Sequence, residues 1–186
     1  MMSQPNKISA KKKLVLMIHA GGSHTNLKAI QEAIDVGKIS AEISAVVSDK
    51  EDAVPVLEKI SPDYICLTGW KKIIPDEIVK KYANKILNVH PGLIPDVANG
   101  KVLNPDNTEA LWNKGMYGDK AIQKFLDQKA TFAGSSIHFL TLDFDFGPVL
   151  GRTFEKIEED NVESLYTRLK KKENQLYVEV LEKLCQ

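Results

Sequence analysis

The sequence predicts an α/β fold: a single open, mostly parallel sheet with helices on both faces, Rossmann-like in outline. Three observations carry this. Short continuous apolar runs recur, such as Leu14-Val15-Leu16-Met17-Ile18 and Tyr64-Ile65-Cys66-Leu67-Thr68, and runs of that length suit strands buried on both faces. Between them lie segments with apolar residues at helical spacing. The two kinds alternate through the first half, the pattern of βαβ units.

Each element follows in order. After the first strand, Leu27, Ile30, Ala33 and Ile34 give residues 26–36 a helical stripe. Residues 43–47 read as the second strand, stopped by Ser48-Asp49-Lys50. A short helix is expected over 52–60 and the third strand over 64–68. Pro75 at a first turn suits a helix over 75–82. Residues 86–89 form a fourth short strand. A polar stretch over 91–107 holds Pro91, Gly92, Pro95, Gly100 and Pro105, and a loop that long inside a domain is functional or mobile, as a lid or an interface. Helices are expected over 108–114 and 119–128, and strands over 136–141 and 149–154. Residues 162–184 make a long amphipathic helix with Leu165, Leu169, Leu176, Val180 and Leu184 facing the core.

The chain has 186 residues, enough for one domain with a real core. We expect a disordered lead-in over 1–12, since its polar residues lack the apolar stretch of a signal peptide, and one domain over 13–186. Lys plus Arg and Asp plus Glu number 25 each, so nothing global pulls the chain toward nucleic acid or an anionic membrane. No run approaches the ~18 apolar residues of a membrane span. Cys66 and Cys185 build neither a disulfide framework nor a zinc site, which points to a reducing cytoplasm and no metal. The expected partners are small molecules, and a monomer and a homodimer both fit.

The chemistry concentrates in a few places. Asn88 and His90 stand two apart at a strand end, so both project to one side of the sheet's carboxyl edge. An amide donor and a titratable imidazole there suit a developing oxyanion, and they equally suit a structural pair. Asp145, between Phe144 and Phe146 and ahead of Gly147-Pro148, is a carboxylate that can steer an imidazole or simply occupy a turn. Gly21 to Asn26 joins the first strand to the first helix, where backbone N–H groups with Ser23, Thr25 and Asn26 offer an anion site; Thr25 or Ser23 also suits a plain helix cap. His138, mid-strand, reads as a satisfied core group more readily than as a ligand.

Asn88-Val89-His90-Pro91-Gly92-Leu93-Ile94-Pro95, and later Ser135-Ser136-Ile137-His138-Phe139 with Asp145-Phe146-Gly147-Pro148-Val149, resemble the two signatures of the folate-dependent formyltransferase superfamily. Within it the likeness is to the phosphoribosylglycinamide formyltransferases. It extends through Gly22 to Ile30, Val47 to Ala53, Ser61 to Ile74 and Lys172 to Tyr177, and covers about residues 13–180. The resemblance implies the formyltransferase fold and formyl transfer from 10-formyltetrahydrofolate, as co-substrate, to a phosphorylated amine in purine biosynthesis. It implies Asn88, His90 and Asp145 as the catalytic trio. Ser23, Thr25 and Asn26 would hold the substrate phosphate with Lys170 as cationic partner, and Glu173 would bind ribose hydroxyls. Lys72, Ile74, Thr141 and Leu142 would border the folate pterin.

The chain departs from the family pattern at named places. Gly92 replaces a serine and His24 stands where the phosphate loop has glycine. The chain is shorter between Lys50 and Ser61 and longer between Pro95 and Met116. The family's histidine-containing substrate segment has no counterpart near Tyr117-Gly118-Asp119-Lys120. The same motifs therefore also admit another amine acceptor, such as an amino-sugar nucleotide, or a non-catalytic phosphate-binding module of the same fold.

Overall fold

Why the apolar runs become strands is visible in their two-sided burial. In a computed structural model, which describes residues 10–186, β1 (Lys12–Ile18) holds Leu14, Val15 and Leu16 at 0% exposure. Leu14 and Leu16 pack on one face of the sheet, Val15 and Met17 on the other. A strand buried on both faces needs no polar alternation, hence the continuous run. Most of the expected 1–12 lead-in lies outside the described residues, and β1 takes its last residue.

The remaining elements are α1 (Thr25–Asp35), β2 (Ala41–Ser48), α2 (Val54–Ile60), β3 (Tyr64–Thr68), α3 (Asp76–Lys81), β4 (Ile86–His90), α4 (Gly118–Asp127), β5 (Phe132–Phe139), β6 (Val149–Lys156) and α5 (Val162–Leu184). The strands form one open sheet in the order β2-β1-β3-β4-β5-β6. β1 pairs in parallel with β2 and β3, and β3 with β4. β5 runs antiparallel to β4 and β6. The expected mostly parallel sheet is what forms, with an antiparallel edge. A loop over 140–148 joins β5 to β6 directly, and a connection that short forces an antiparallel pair.

α1 and α5 cover the face carrying Leu14, Leu16, Cys66, Leu87 and Ile137. α2 and α3 cover the face carrying Val15, Met17, Ile65, Leu67 and Ile86. α4 packs with α5 around Ile122, Phe125, Leu165 and Leu169. α5 begins at a reciprocal capping box, in which the Asn161 side chain accepts from Ser164 N and the Ser164 hydroxyl accepts from Asn161 N. Its stripe runs Leu165, Leu169, Leu176, Tyr177, Val180, Leu181, with Glu173 buried among them. Among the described residues, no helix is long and apolar enough to cross a membrane.

The chain turns opposite ways from β1: β2 lies on one side and β3 on the other. That reversal opens a crevice beyond the carboxyl ends of β1 and β3, the general location of ligands in open α/β sheets.

Two elements differ from expectation: the strand expected over 136–141 runs Phe132–Phe139, with 140 and 141 in the loop that follows, and the helix expected over 108–114 does not form. Residues 108–114 are extended and irregular rather than helical. Their backbone groups bond to other segments, where a helix would need its own i−4 partners. Ala110 N donates to Val102 O, the Leu111 carbonyl accepts from Leu93 N, and Leu103 and Glu109 form an isolated bridge. The preceding 91–107 stretch is likewise built in: Leu93 and Ile94 are buried, Ile94 N donates to Ser136 Oγ, and Arg152 donates to Ile94 O.

Candidate active site

Asn88 and His90 continue the face of β4 that Ile86 begins, because residues two apart on a strand share a side. The antiparallel register puts His138 directly opposite Asn88 and Ser136 opposite His90. Two β4 side chains and two β5 side chains thus meet near the carboxyl end of β4.

The loop after β5 brings in Asp145. Its Oδ1 lies 3.6 Å from His90 Nδ1, and its other oxygen accepts from Gly115 N at 2.7 Å. Asp145 has φ of +48°, a left-handed conformation that a side chain rarely takes unless its surroundings impose it. The surroundings do: Trp112 Nε1 donates to the Asp145 carbonyl at 2.9 Å, and Thr141 Oγ1 donates to Phe146 O at 2.7 Å. A Cβ on Gly147 would stand 2.2 Å from Phe139 O, so the turn beside Asp145 closes only with glycine there.

His90 is 2% exposed. Its Nε2 lies 2.7 Å from the carbonyl of Trp112, so that nitrogen donates. Burial holds the imidazole pKa below the ordinary histidine value, opposed by the Asp145 carboxylate and the Trp112 carbonyl. Asn88 Nδ2 lies 3.2 Å from His138 Nε2, and His138 Nδ1 lies 3.0 Å from Phe139 O. Burial, then the neighbouring His90 charge, push His138 down to about 4. The ring is therefore neutral at physiological pH. It donates from Nδ1 to the carbonyl and accepts from Asn88 at Nε2. His138 is a satisfied core group that also fixes the Asn88 amide, leaving that amide's second hydrogen for the crevice.

The β1–α1 loop is held by His19. Gly22 N and His24 Nε2 both bond to the His19 carbonyl, at 2.9 Å each. The His19 ring pairs with Asp49 at 2.5 Å, and this bond is the largest cause lowering the Asp49 pKa. His24, at φ of +54°, takes the N-cap position of α1 without a side-chain cap bond. Neither Ser23 nor Thr25 caps the helix. Ser23 is exposed, while Thr25 Oγ1 and Asn26 Oδ1 are buried with no partner. Free first-turn amides and two unmatched buried oxygens leave the start of α1 short of polar partners.

Lys170 and Glu173 bond to each other on α5: Lys170 Nζ donates to Glu173 Oε2 at 2.7 Å, and Ser135 Oγ donates to Oε1 at 2.6 Å. The Glu173 charge favours the ammonium, so the Lys170 pKa rises despite burial. Ile74 and Lys72 line a cavity of about 430 Å³ with Trp70, Met17 and Leu57, and Trp70 Nε1 is buried without a partner. Thr141 and Leu142 stand outside that cavity, on the loop carrying Asp145, with Leu142 and Phe144 exposed. The fold brings Asn88, His90 and Asp145 together and keeps Lys72 and Ile74 in a separate hollow beside them. Among the described residues, no group of three or more His, Cys, Asp or Glu could hold a metal ion.

Trp112, Gly115 and the orienting role of His138 were not read from sequence. The one available signal was Gly92, a missing side chain two residues after the candidate histidine.

Comparison with known proteins decides the family. A model of the formyl transferase family matches residues 50–181. The chain belongs to that family. A chloroplastic phosphoribosylglycinamide formyltransferase of Vigna unguiculata is 29% identical over 208 residues, covering 95% of this formyl transferase chain and 62% of the plant protein. The chloroplastic relative in Arabidopsis thaliana is 28% identical and is covered to 66%. The chain thus spans just under two thirds of the length of these relatives. The Haemophilus influenzae phosphoribosylglycinamide formyltransferase is 25% identical over 198 residues, covering 89% of this chain and 84% of that protein. The crystal structure of the Brucella melitensis enzyme of that name superposes with a TM-score of 0.72 at 25% identity, over 94% of this chain and 96% of that one. The Anaplasma phagocytophilum structure gives 0.77 at 23% identity, which speaks for the fold alone.

Proposed function

We propose that this formyl transferase moves the formyl group of 10-formyltetrahydrofolate to the primary amine of phosphoribosylglycinamide, a purine-biosynthetic step. The observation that carries the reading is the convergence of Asn88, His90 and Asp145 at the carboxyl end of β4. The relatives named above supply the acceptor.

The folate co-substrate, when bound, supplies an activated formyl carbon. Attack by the amine forms a C–N bond and drives negative charge onto the formyl oxygen. Asn88 offers its free amide hydrogen to that oxygen. His90 offers Nδ1, which as an imidazolium brings a full positive charge, and each pre-aimed donor contributes about 2.7–4 kcal/mol. Asp145 stabilises that imidazolium from 3.6 Å and relays the amine proton to the departing folate nitrogen as its bond to the formyl carbon breaks. No step calls on a metal.

Substrate binding rests on the remaining residues. The start of α1, with Thr25 and Asn26 lacking partners, suits a phosphate, with Ser23 at the mouth of the loop. Lys170 supplies positive charge, and Glu173, already oriented by Ser135, accepts from ribose hydroxyls. The loop of Thr141 and Leu142 and the hollow of Lys72 and Ile74 flank the place for the pterin, with the unpartnered Trp70 Nε1 as a donor. Free, buried Cys66 and Cys185 support a reducing, cytoplasmic setting.

The test is a folate-turnover assay across amines. Wild type should formylate phosphoribosylglycinamide and leave an amino-sugar nucleotide untouched, and His90→Ala should stay folded and inactive. Transfer only to the nucleotide sugar would reassign the acceptor. Near-normal turnover by His90→Ala would remove the catalytic assignment.

A further inference from the structure

The ring of His90 is buried, yet each of its nitrogens faces an acceptor from a different part of the chain. We infer that Trp112 is a positioning residue for His90. Its backbone carbonyl fixes the imidazole proton on Nε2 and leaves Nδ1 as the nitrogen that exchanges a proton, on the side of Asp145, with Gly92 as the notch that admits the carbonyl. The inference rests on the reading of His90 as the reactive imidazole.

A carbonyl oxygen only accepts, so at 2.7 Å the facing nitrogen must carry hydrogen. The opposite tautomer would press the Nε2 lone pair against the Trp112 oxygen in a site that is 2% exposed, where water cannot relieve it. A neutral ring has one proton, and Trp112 holds it. Nδ1 then faces Asp145 Oδ1 across 3.6 Å, too far for a good hydrogen bond. A proton arriving at Nδ1 makes the imidazolium; a proton leaving returns the same tautomer. The ring thus exchanges charge at one nitrogen, the one facing Asp145, without rearranging. The titratable groups around it are Asp145, His138 and Glu173.

Trp112 is itself firmly placed. Its indole donates to Asp145 O, its ring packs on Phe146 at 5.8 Å, and Lys114 Nζ lies 4.9 Å over it. The next residue, Asn113, donates to Pro91 O and to Ala121 O. Gly115 N binds Asp145 Oδ2. One short segment therefore grips both His90 and Asp145.

Gly92 completes the argument. A Cβ there would lie 1.9 Å from Trp112 O and 3.0 Å from His90 Nε2. No side chain fits while the carbonyl is in place. Gly92 and the segment that carries Trp112 are thus two halves of one device.

Histidine-selective ¹⁵N NMR on the full chain tests this, with His90 assigned by the signal lost in His90→Ala. The expected wild-type result is an Nε2–H tautomer whose titration appears at Nδ1. Gly92→Ala should displace the carbonyl, mix the tautomers and alter the pH profile of turnover. It should lower kcat at least about tenfold with KM little changed; a wrongly held tautomer costs up to ~10⁴-fold in a serine-protease triad. Trp112→Phe keeps the carbonyl and should keep the tautomer. An Nδ1–H tautomer in wild type, loss of the Nε2–H signal in Trp112→Phe, or an unaltered His90 spectrum in Gly92→Ala would each overturn the inference. Should Gly92→Ala not fold, the wild-type and Trp112→Phe spectra decide. The spectra need no turnover, so an absence of formyl transfer would sink the functional proposal while leaving this one tested separately.

Discussion

Burial of a neutral His138 makes the stability of the fold pH-dependent. The ring is 0% exposed, and its pKa falls from 6.5 to about 4 because burial and the nearby His90 disfavour its charged form. Unfolded, it titrates near 6.5. Between these values the unfolded chain holds a proton that the folded chain refuses, so stability rises with pH across that window and falls as the pH drops. At about 1.4 kcal/mol per pH unit the interval is worth about 3 kcal/mol, fully present above pH 6.5 and lost toward pH 4. The perturbation is His138→Gln, which removes the titration while offering Asn88 another acceptor. Imperfect pairing of Asn88 Nδ2 and Phe139 O should cost about 1–3 kcal/mol at neutral pH. Urea unfolding at pH 7.5, 6.5, 5.5 and 4.5 is the assay. The variant should start less stable and the two curves should converge as the pH falls, since His90 and the carboxylates titrate in both proteins. Curves that stay parallel down to pH 4.5 would show that His138 is not held neutral by burial, and the account of how Asn88 is oriented would fail with it.

Two further substitutions probe α5. Asn161→Ala breaks the capping box and should cost about 1 kcal/mol, a Tm lower by roughly 2–4 °C in thermal unfolding, with folate turnover unchanged. Ser135→Ala removes the 2.6 Å donor to the buried Glu173 carboxylate. A bond to a charged group is worth about 1.5–3 kcal/mol, so urea denaturation should show a loss of that order. If Glu173 binds the acceptor's ribose, KM for phosphoribosylglycinamide should rise more than kcat falls.

The fold was legible in the sequence because burial on both faces leaves a local mark. Continuous apolar runs marked β1 and β3, and a 3.6-residue stripe marked α5 to its final turn. Asn88 and His90 were legible as a pair because strand geometry alone puts them on one side. Residues 108–114 were misread because their hydrogen bonds go to partners distant in sequence, and no local pattern records that. The antiparallel edge depended on which strand lies beside β4, a matter of packing rather than of any segment's own pattern.

By itself, then, the sequence determined the layers, the crevice and the residue types offered to it. The tertiary structure alone decided how those groups are held. It set Asp145 beside His90 in a left-handed turn, turned His138 into the acceptor for Asn88, and placed the Trp112 carbonyl where a side chain on Gly92 would otherwise stand. The physical reason is that protonation state and orientation depend on which buried donors and acceptors meet across the sheet, and these lie from 22 to 55 residues apart along the chain.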